Sequence, residues 1–213
     1  MQLPIKTKIA GKKTIANWNS IRSKLDDFNN STVWLSAYND FFLARLNERY
    51  LLPIESIKTN GSSTGEGFAI MTIICSLIEF LETTYIGKNY RFVRKKGPPL
   101  GQYEYSKSEE IFINFLTKRT PFNSHFDPQT SKDFYTNIRC SLLHEARTSS
   151  NWTISSNSPK NTLIHKSSSE IIIYRNNFHQ ALVTFIDSYK TELLSSDEKK
   201  KSFLRKYDKL CEL

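Results

Sequence analysis

Between Gly67 and Leu81 the chain carries apolar side chains around most of a helical circumference: Phe68, Ile70, Met71, Ile73, Ile74, Leu77, Ile78, Phe80 and Leu81. A helix apolar on nearly every side has to be covered by neighbours, so this segment demands a central place in an assembly of helices. Its longest uncharged part, Gly67 to Ile78, falls short of the roughly 20 residues that span a bilayer, so no membrane role is expected. Asn60-Gly61-Ser62-Ser63 reads as a turn, and Ser63-Thr64-Gly65-Glu66 has the form of a capping box that starts the helix. The same glycines lack the Gly-Lys-Ser/Thr ending of a phosphate-binding loop and follow no strand.

The remaining periodicity supplies the covering helices. Ile15, Trp18, Ile21 and Leu25 mark one side of a helix over about Thr14 to Phe28. Asn30, Ser31 or Thr32 caps the next, where Trp34, Ala37, Tyr38, Phe41 and Phe42 recur at helical spacing. Pro53 is expected to end or kink that helix after Leu52. A short helix follows over Glu109 to Lys118, then a loop holding Pro121 and Pro128, then a helix from about Ser131 to Thr148. Trp152-Thr153-Ile154, the run Thr162 to His165 and the run Glu170 to Tyr174 are β-type, the last two joined as a hairpin by Lys166-Ser167-Ser168-Ser169. Asn176 or Asn177 then caps an amphipathic helix with Phe178, Leu182, Phe185, Ile186, Tyr189 and Leu193, and Ser196-Asp197 opens a charged final one. The fold class is mainly α: a helical bundle with a small β-hairpin insertion before the penultimate helix. Residues 1–13 read as a loose basic arm and 14–213 as a single domain.

Lys and Arg total 30 against 21 acidic residues, a formal charge of +9. An excess of this size suits a polyanionic partner such as RNA, and it also arises from composition alone in Lys-rich chains. Cys75, Cys140 and Cys211 are odd in number and lack CxxC spacing, which fits a reducing compartment better than a disulfide framework or a zinc site. With no apolar run of signal-peptide length at the start, a cytoplasmic location is expected. His125, His165 and His179 are dispersed and read as structural, so no metal and no cofactor are expected.

The segment Asp133 to Arg147 carries the most chemistry. On a helical wheel Phe134, Ile138 and Leu142 stack as the core stripe, with Tyr135 and Ala146 at its edge. The opposite side presents Asn137, Arg139, Cys140, Leu143, His144 and Arg147. Arg139 and His144 are separated by about 140° on an ideal helix, flanking an outward strip without touching each other. An apolar Leu on such a strip suggests contact with a partner, for instance a second copy of the chain.

Arg139-Cys140-Ser141-Leu142-Leu143-His144 resembles the R-x4-6-H signature of the HEPN domains, helical-bundle proteins many of which are metal-independent ribonucleases. In that family the motif lies on a helix late in the bundle, as it does here. The resemblance implies a HEPN-like bundle, Arg139 and His144 as catalytic residues, and a homodimer that brings two Arg–His sets into one cleft. It also implies a role in bacterial antiviral defence or as a toxin with a neutralising antitoxin. The chain departs from the family at Cys140, where active members often carry Asn, Asp or His, and at Ala146, which stands where one subgroup has Tyr.

The chemistry is self-contained. RNA carries its own nucleophile, the 2′-hydroxyl, next to the phosphate it attacks. An imidazole, with an ordinary pKa of about 6.5, exchanges protons near neutrality, and a guanidinium stabilises charge building on the phosphate oxygens. Asn137 and Glu145 lie close enough to orient His144, and Arg147 is placed for phosphate contact; ordinary helix-surface roles are the alternative for each. A basic, aromatic loop, in which Arg94, Lys95 and Lys96 accompany Tyr90, Phe92, Tyr103 and Tyr105, suits single-stranded RNA or is a plain solvated loop. The same outward strip would equally serve a non-catalytic HEPN-like module that binds RNA or a protein partner.

Overall fold

Seven helices and three small sheets make up the described residues of the computed structural model, which covers residues 3–61, 64–95 and 97–213. The helices are α1 (Ile15–Arg22), α2 (31–60), α3 (Glu66–Ile86), α4 (Glu109–Lys118), α5 (128–145), α6 (Arg175–Ser195) and α7 (Asp197–Leu210). The fold is mainly α. The turn and capping box read before α3 involve Ser62 and Ser63, which lie outside the described residues. By length and composition α3 would suffice to cross a membrane. Ile70, Met71, Ile74, Leu77 and Ile78 have no exposed surface, which is the behaviour of a core helix.

Local chemistry explains most helix ends. Thr14 and Asn17 form a reciprocal capping box for α1. The Asn30 side chain accepts from the Val33 N–H to start α2, and Ser196 accepts from the Lys199 N–H to start α7. Asp127, not Ser131, opens α5: its carboxylate accepts from the Thr130 N–H at 2.7 Å, with Pro128 in the first turn, where a missing N–H costs nothing. That hydrogen bond, joined by the Thr130 hydroxyl, holds the Asp127 carboxyl well below the usual carboxylate range. The α6 helix begins at Arg175, ahead of the expected Asn cap. Asn177 instead accepts from the Ser158 N–H at 2.9 Å and ties down the preceding loop.

Three wide, i→i+5 turns interrupt the helices, at Tyr38–Leu43 and Asn47–Leu51 within α2 and at Tyr135–Cys140 within α5. The second bears on the expectation that Pro53 ends or kinks its helix, which does not end there. Helix α2 runs on to Asn60, because a wide turn just ahead of a proline relaxes the clash of its ring with the carbonyl four residues earlier.

The chain divides into two compact units. One takes in the chain up to Pro53, Thr83–Ser106 and Ser188–Leu213; the other takes in Ile54–Glu82 and Lys107–Asp187. The first packs around Trp18, Trp34, Phe41, Phe42, Phe203 and Tyr207, with Phe203 and Tyr207 stacked at 4.4 Å. Part of the expected loose arm belongs to it. Strands β1 (Lys8–Ala10) and β2 (Lys13–Thr14) pair antiparallel around Gly11, whose φ of +51° suits glycine. Ile9 and Ala10 are buried there, and Arg45 donates to the Ile9 carbonyl.

The second unit has its own aromatic core, in which the Phe134 and Phe178 rings stack at 5.6 Å and Phe115, Phe122 and Trp152 pack around them. Its sheet has the order β5 (Trp152–Ser155), β7 (Ile171–Tyr174), β6 (Ile164–Lys166). The expected β6–β7 hairpin is present before the penultimate helix, and β5 adds to it in parallel.

Candidate functional site

Phe134 and Ile138 are fully buried and Leu142 nearly so, which fixes the core side of α5. The wide turn at Tyr135–Cys140 then alters what the wheel predicts for the other side. Each residue of an i→i+5 turn advances by less than the 100° of a regular helix. Arg139 consequently does not face outward. It is half-buried, with its guanidinium 5.3 Å from the Tyr135 ring centroid and Nη2 3.9 Å from Glu79 Oε2 of α3. Here it lines a cavity of about 180 Å³ with Thr72, Cys75, Ser76, Glu79 and Leu143.

The groups around Arg139 have clear chemical characters. Cys75 is buried, and burial pushes its thiol above the ordinary range, which disfavours the thiolate. Burial likewise raises the Tyr135 hydroxyl, which hydrogen-bonds Ser108 at 3.0 Å. Arg139 is therefore the cation in the cavity lining, and its ion pair with Glu79 is long.

His144 occupies the last turn of α5, exposed, and it is absent from the cavity lining. Among the described residues none hydrogen-bonds to it. The helix stops after Glu145, where Ala146 turns left-handed at φ 52°. This corrects the placement of Arg147, which lies beyond the helix and off the strip, largely exposed and paired with Glu145 at 2.6 Å. Asn137 turns to the chain after the helix: its side chain accepts from the Ser150 hydroxyl at 3.1 Å and its carbonyl from the Ser149 N–H. It thereby secures the segment that follows His144 and makes no bond to the imidazole.

In the other unit, Arg94 and Lys95 are exposed, and Lys96 lies outside the described residues. The loop is less free than its composition suggests. Strands β3 (Asn89–Tyr90) and β4 (Glu104–Tyr105) pair in parallel, and Arg91 is held by Glu104 at 2.6 Å and by the carbonyls of Pro98 and Pro99.

Nothing in the sequence pattern placed Glu79 or Cys75 beside Arg139. An acidic residue inside the apolar run of α3 was the available signal, since a carboxylate there needs a cationic partner. Among the described residues no group of three or more His, Cys, Asp or Glu side chains is placed to hold a metal.

No family model matches the chain, and neither does any curated protein or solved structure.

Proposed function

We propose that the chain is a metal-independent endoribonuclease of HEPN type, working as a homodimer in bacterial defence or as a toxin. The observation that carries the reading is the state of its two candidate groups. His144 is exposed with no hydrogen-bond partner among the described residues, and Arg139 is held by a carboxylate only at 3.9 Å. Neither is committed to holding the fold together. In the reaction His144 takes the proton of the 2′-hydroxyl, the 2′-oxygen attacks phosphorus, and the bond to the 5′-oxygen breaks. The departing oxygen gains a proton and becomes a 5′-hydroxyl, leaving a 2′,3′-cyclic phosphate. Arg139, or its counterpart in the second protomer, neutralises charge on the phosphate oxygens.

Incubating purified protein with single-stranded RNA in EDTA tests this. Cleavage that leaves cyclic phosphate ends and falls by about 10²–10⁴-fold in His144→Ala is expected. Intact RNA, or undiminished cleavage by the variant, overturns it.

A non-catalytic module binding RNA or a protein is the second reading. It is favoured by Glu79, which competes with phosphate for Arg139, and by Leu143, 49% exposed next to His144. Binding of a partner without any cleavage would identify it.

A further inference from the structure

A second cavity, of about 380 Å³, lies in the first unit between the 89–105 loop and the end of α7. Two tyrosine rings line it, Tyr90 and Tyr103, which stay 56% and 43% exposed. Three cations, Arg91, Arg205 and Lys209, line it as well, with the Arg205 guanidinium 4.1 Å from the Tyr103 ring centroid. The wall is built for this approach. Asn89 donates from its backbone to the Tyr103 carbonyl and from its side chain to the Arg205 carbonyl. At Gly87, with φ +68°, any Cβ would come within 2.7 Å of the Arg205 guanidinium and the Ser202 backbone.

Charge accounting shows what the cavity attracts. Its two carboxylate side chains are already engaged: Glu104 accepts from Arg91 and the Gly101 N–H, and Asp208 accepts from Arg22 and the Trp18 indole. Arg91 is taken up by Glu104, but among the described residues Arg205 donates only to neutral oxygens, those of Gly87 and Ser202, and exposed Lys209, whose charge acts on Glu104, has no ion pair within 4 Å. Cations without a direct ion pair beside exposed aromatic faces match a nucleotide, whose base stacks and whose phosphate needs neutralising. The volume lies within the range of small-ligand sites, about 300–1,000 Å³. Phe92, 70% exposed and two residues beyond Tyr90, offers a surface to a neighbouring base.

We infer that this cavity holds one nucleotide of single-stranded RNA, with its base against Tyr103 and Tyr90 and its phosphate on Lys209 and Arg205. That the polymer is RNA rests on the endoribonuclease reading; the cavity chemistry does not.

Fluorescence anisotropy with a labelled 2′-O-methyl oligouridylate, which cannot be cleaved, separates the two. Tyr103→Ala should bind about ten-fold more weakly. Lys209→Gln should lower the slope of log affinity against log salt by about 0.7. Tyr90→Ala, at an exposed position, serves as a variant safe for folding, and circular dichroism and melting establish that each is folded. Folded variants that bind as the wild type does would overturn the inference. Uridine monophosphate competing as well as the oligomer would overturn the strand assignment in favour of a free nucleotide. Tyr103-dependent binding by a protein that never cleaves RNA would sink the endoribonuclease reading and leave this one standing. RNA cleavage with Tyr103-independent binding would do the reverse.

Discussion

Two arginines of the second unit meet carboxylates carried three residues apart on α3, and they hold them in different ways. Arg119 grips Glu82 with two hydrogen bonds, 2.8 and 2.9 Å, and the Glu82 side chain is 1% exposed. Arg139 reaches Glu79 once, at 3.9 Å, with both side chains about one-fifth to one-quarter exposed. A buried bidentate pair is hard to break, because the survivor is a charge stranded away from water. A long pair near solvent is worth at most about 1 kcal/mol and can be traded for another anion. The same two residue types thus make a brace in one place and an exchangeable contact in the other.

The largest expected effect is on the brace. Arg119→Met should destabilise the fold by about 3–5 kcal/mol, read as a lower urea midpoint; a loss below about 1 kcal/mol would erase the contrast. Arg139→Met should change stability by no more than about 1 kcal/mol while lowering RNA cleavage about 10²–10³-fold. A large stability loss there would make Arg139 a second brace.

A third carboxylate sharpens the role of burial. The His179 Nδ1 lies 3.3 Å from Glu55, yet burial, helped by Lys58, pulls the imidazole below its ordinary pKa. The folded state therefore favours the neutral ring. Its contribution is complete above the unfolded value of about 6.5 and is lost as pH falls through the folded one. Unfolding free energy should drop between pH 7 and pH 5 with a slope of at most about 1.4 kcal/mol per pH unit from this group, less in His179→Phe. An unchanged slope would show that Glu55 governs the ring. The smallest effect belongs to Glu79→Gln, which should raise RNA affinity a few-fold by releasing Arg139 from its competitor. Weaker binding would mean that Glu79 positions the arginine.

Much of the architecture could be read before any coordinates. The α3 core helix, α4, the β6–β7 hairpin and the amphipathic faces of α6 and α7 follow from periodicity, and the caps at Asn30 and Ser196 from residue type. The continuity of α2 could not be read, because Pro53 argues locally for a break and only the adjacent wide turn removes the conflict. Nor could the two units, three of whose four boundaries fall inside helices. At the candidate site the core stripe of α5 was legible and the bearing of Arg139 was not. Wheel angles assume uniform pitch, and nothing in Tyr135–Cys140 announces a wider turn. The cavity under the 89–105 loop was half legible: its tyrosines stand in the sequence run, while Arg205 and Lys209 arrive from more than a hundred residues away.

The wide turn in α5 amounts to one extra residue spliced into an otherwise regular rod. Taking out that one residue would restore even pitch and leave His144 near its present bearing, whereas tightening the stretch with every residue kept would swing His144 around the axis by about 100°. Phe134, upstream, would keep its place. The compass heading of the imidazole is thus set by the pitch of this stretch, separately from the anchorage that Phe134 provides.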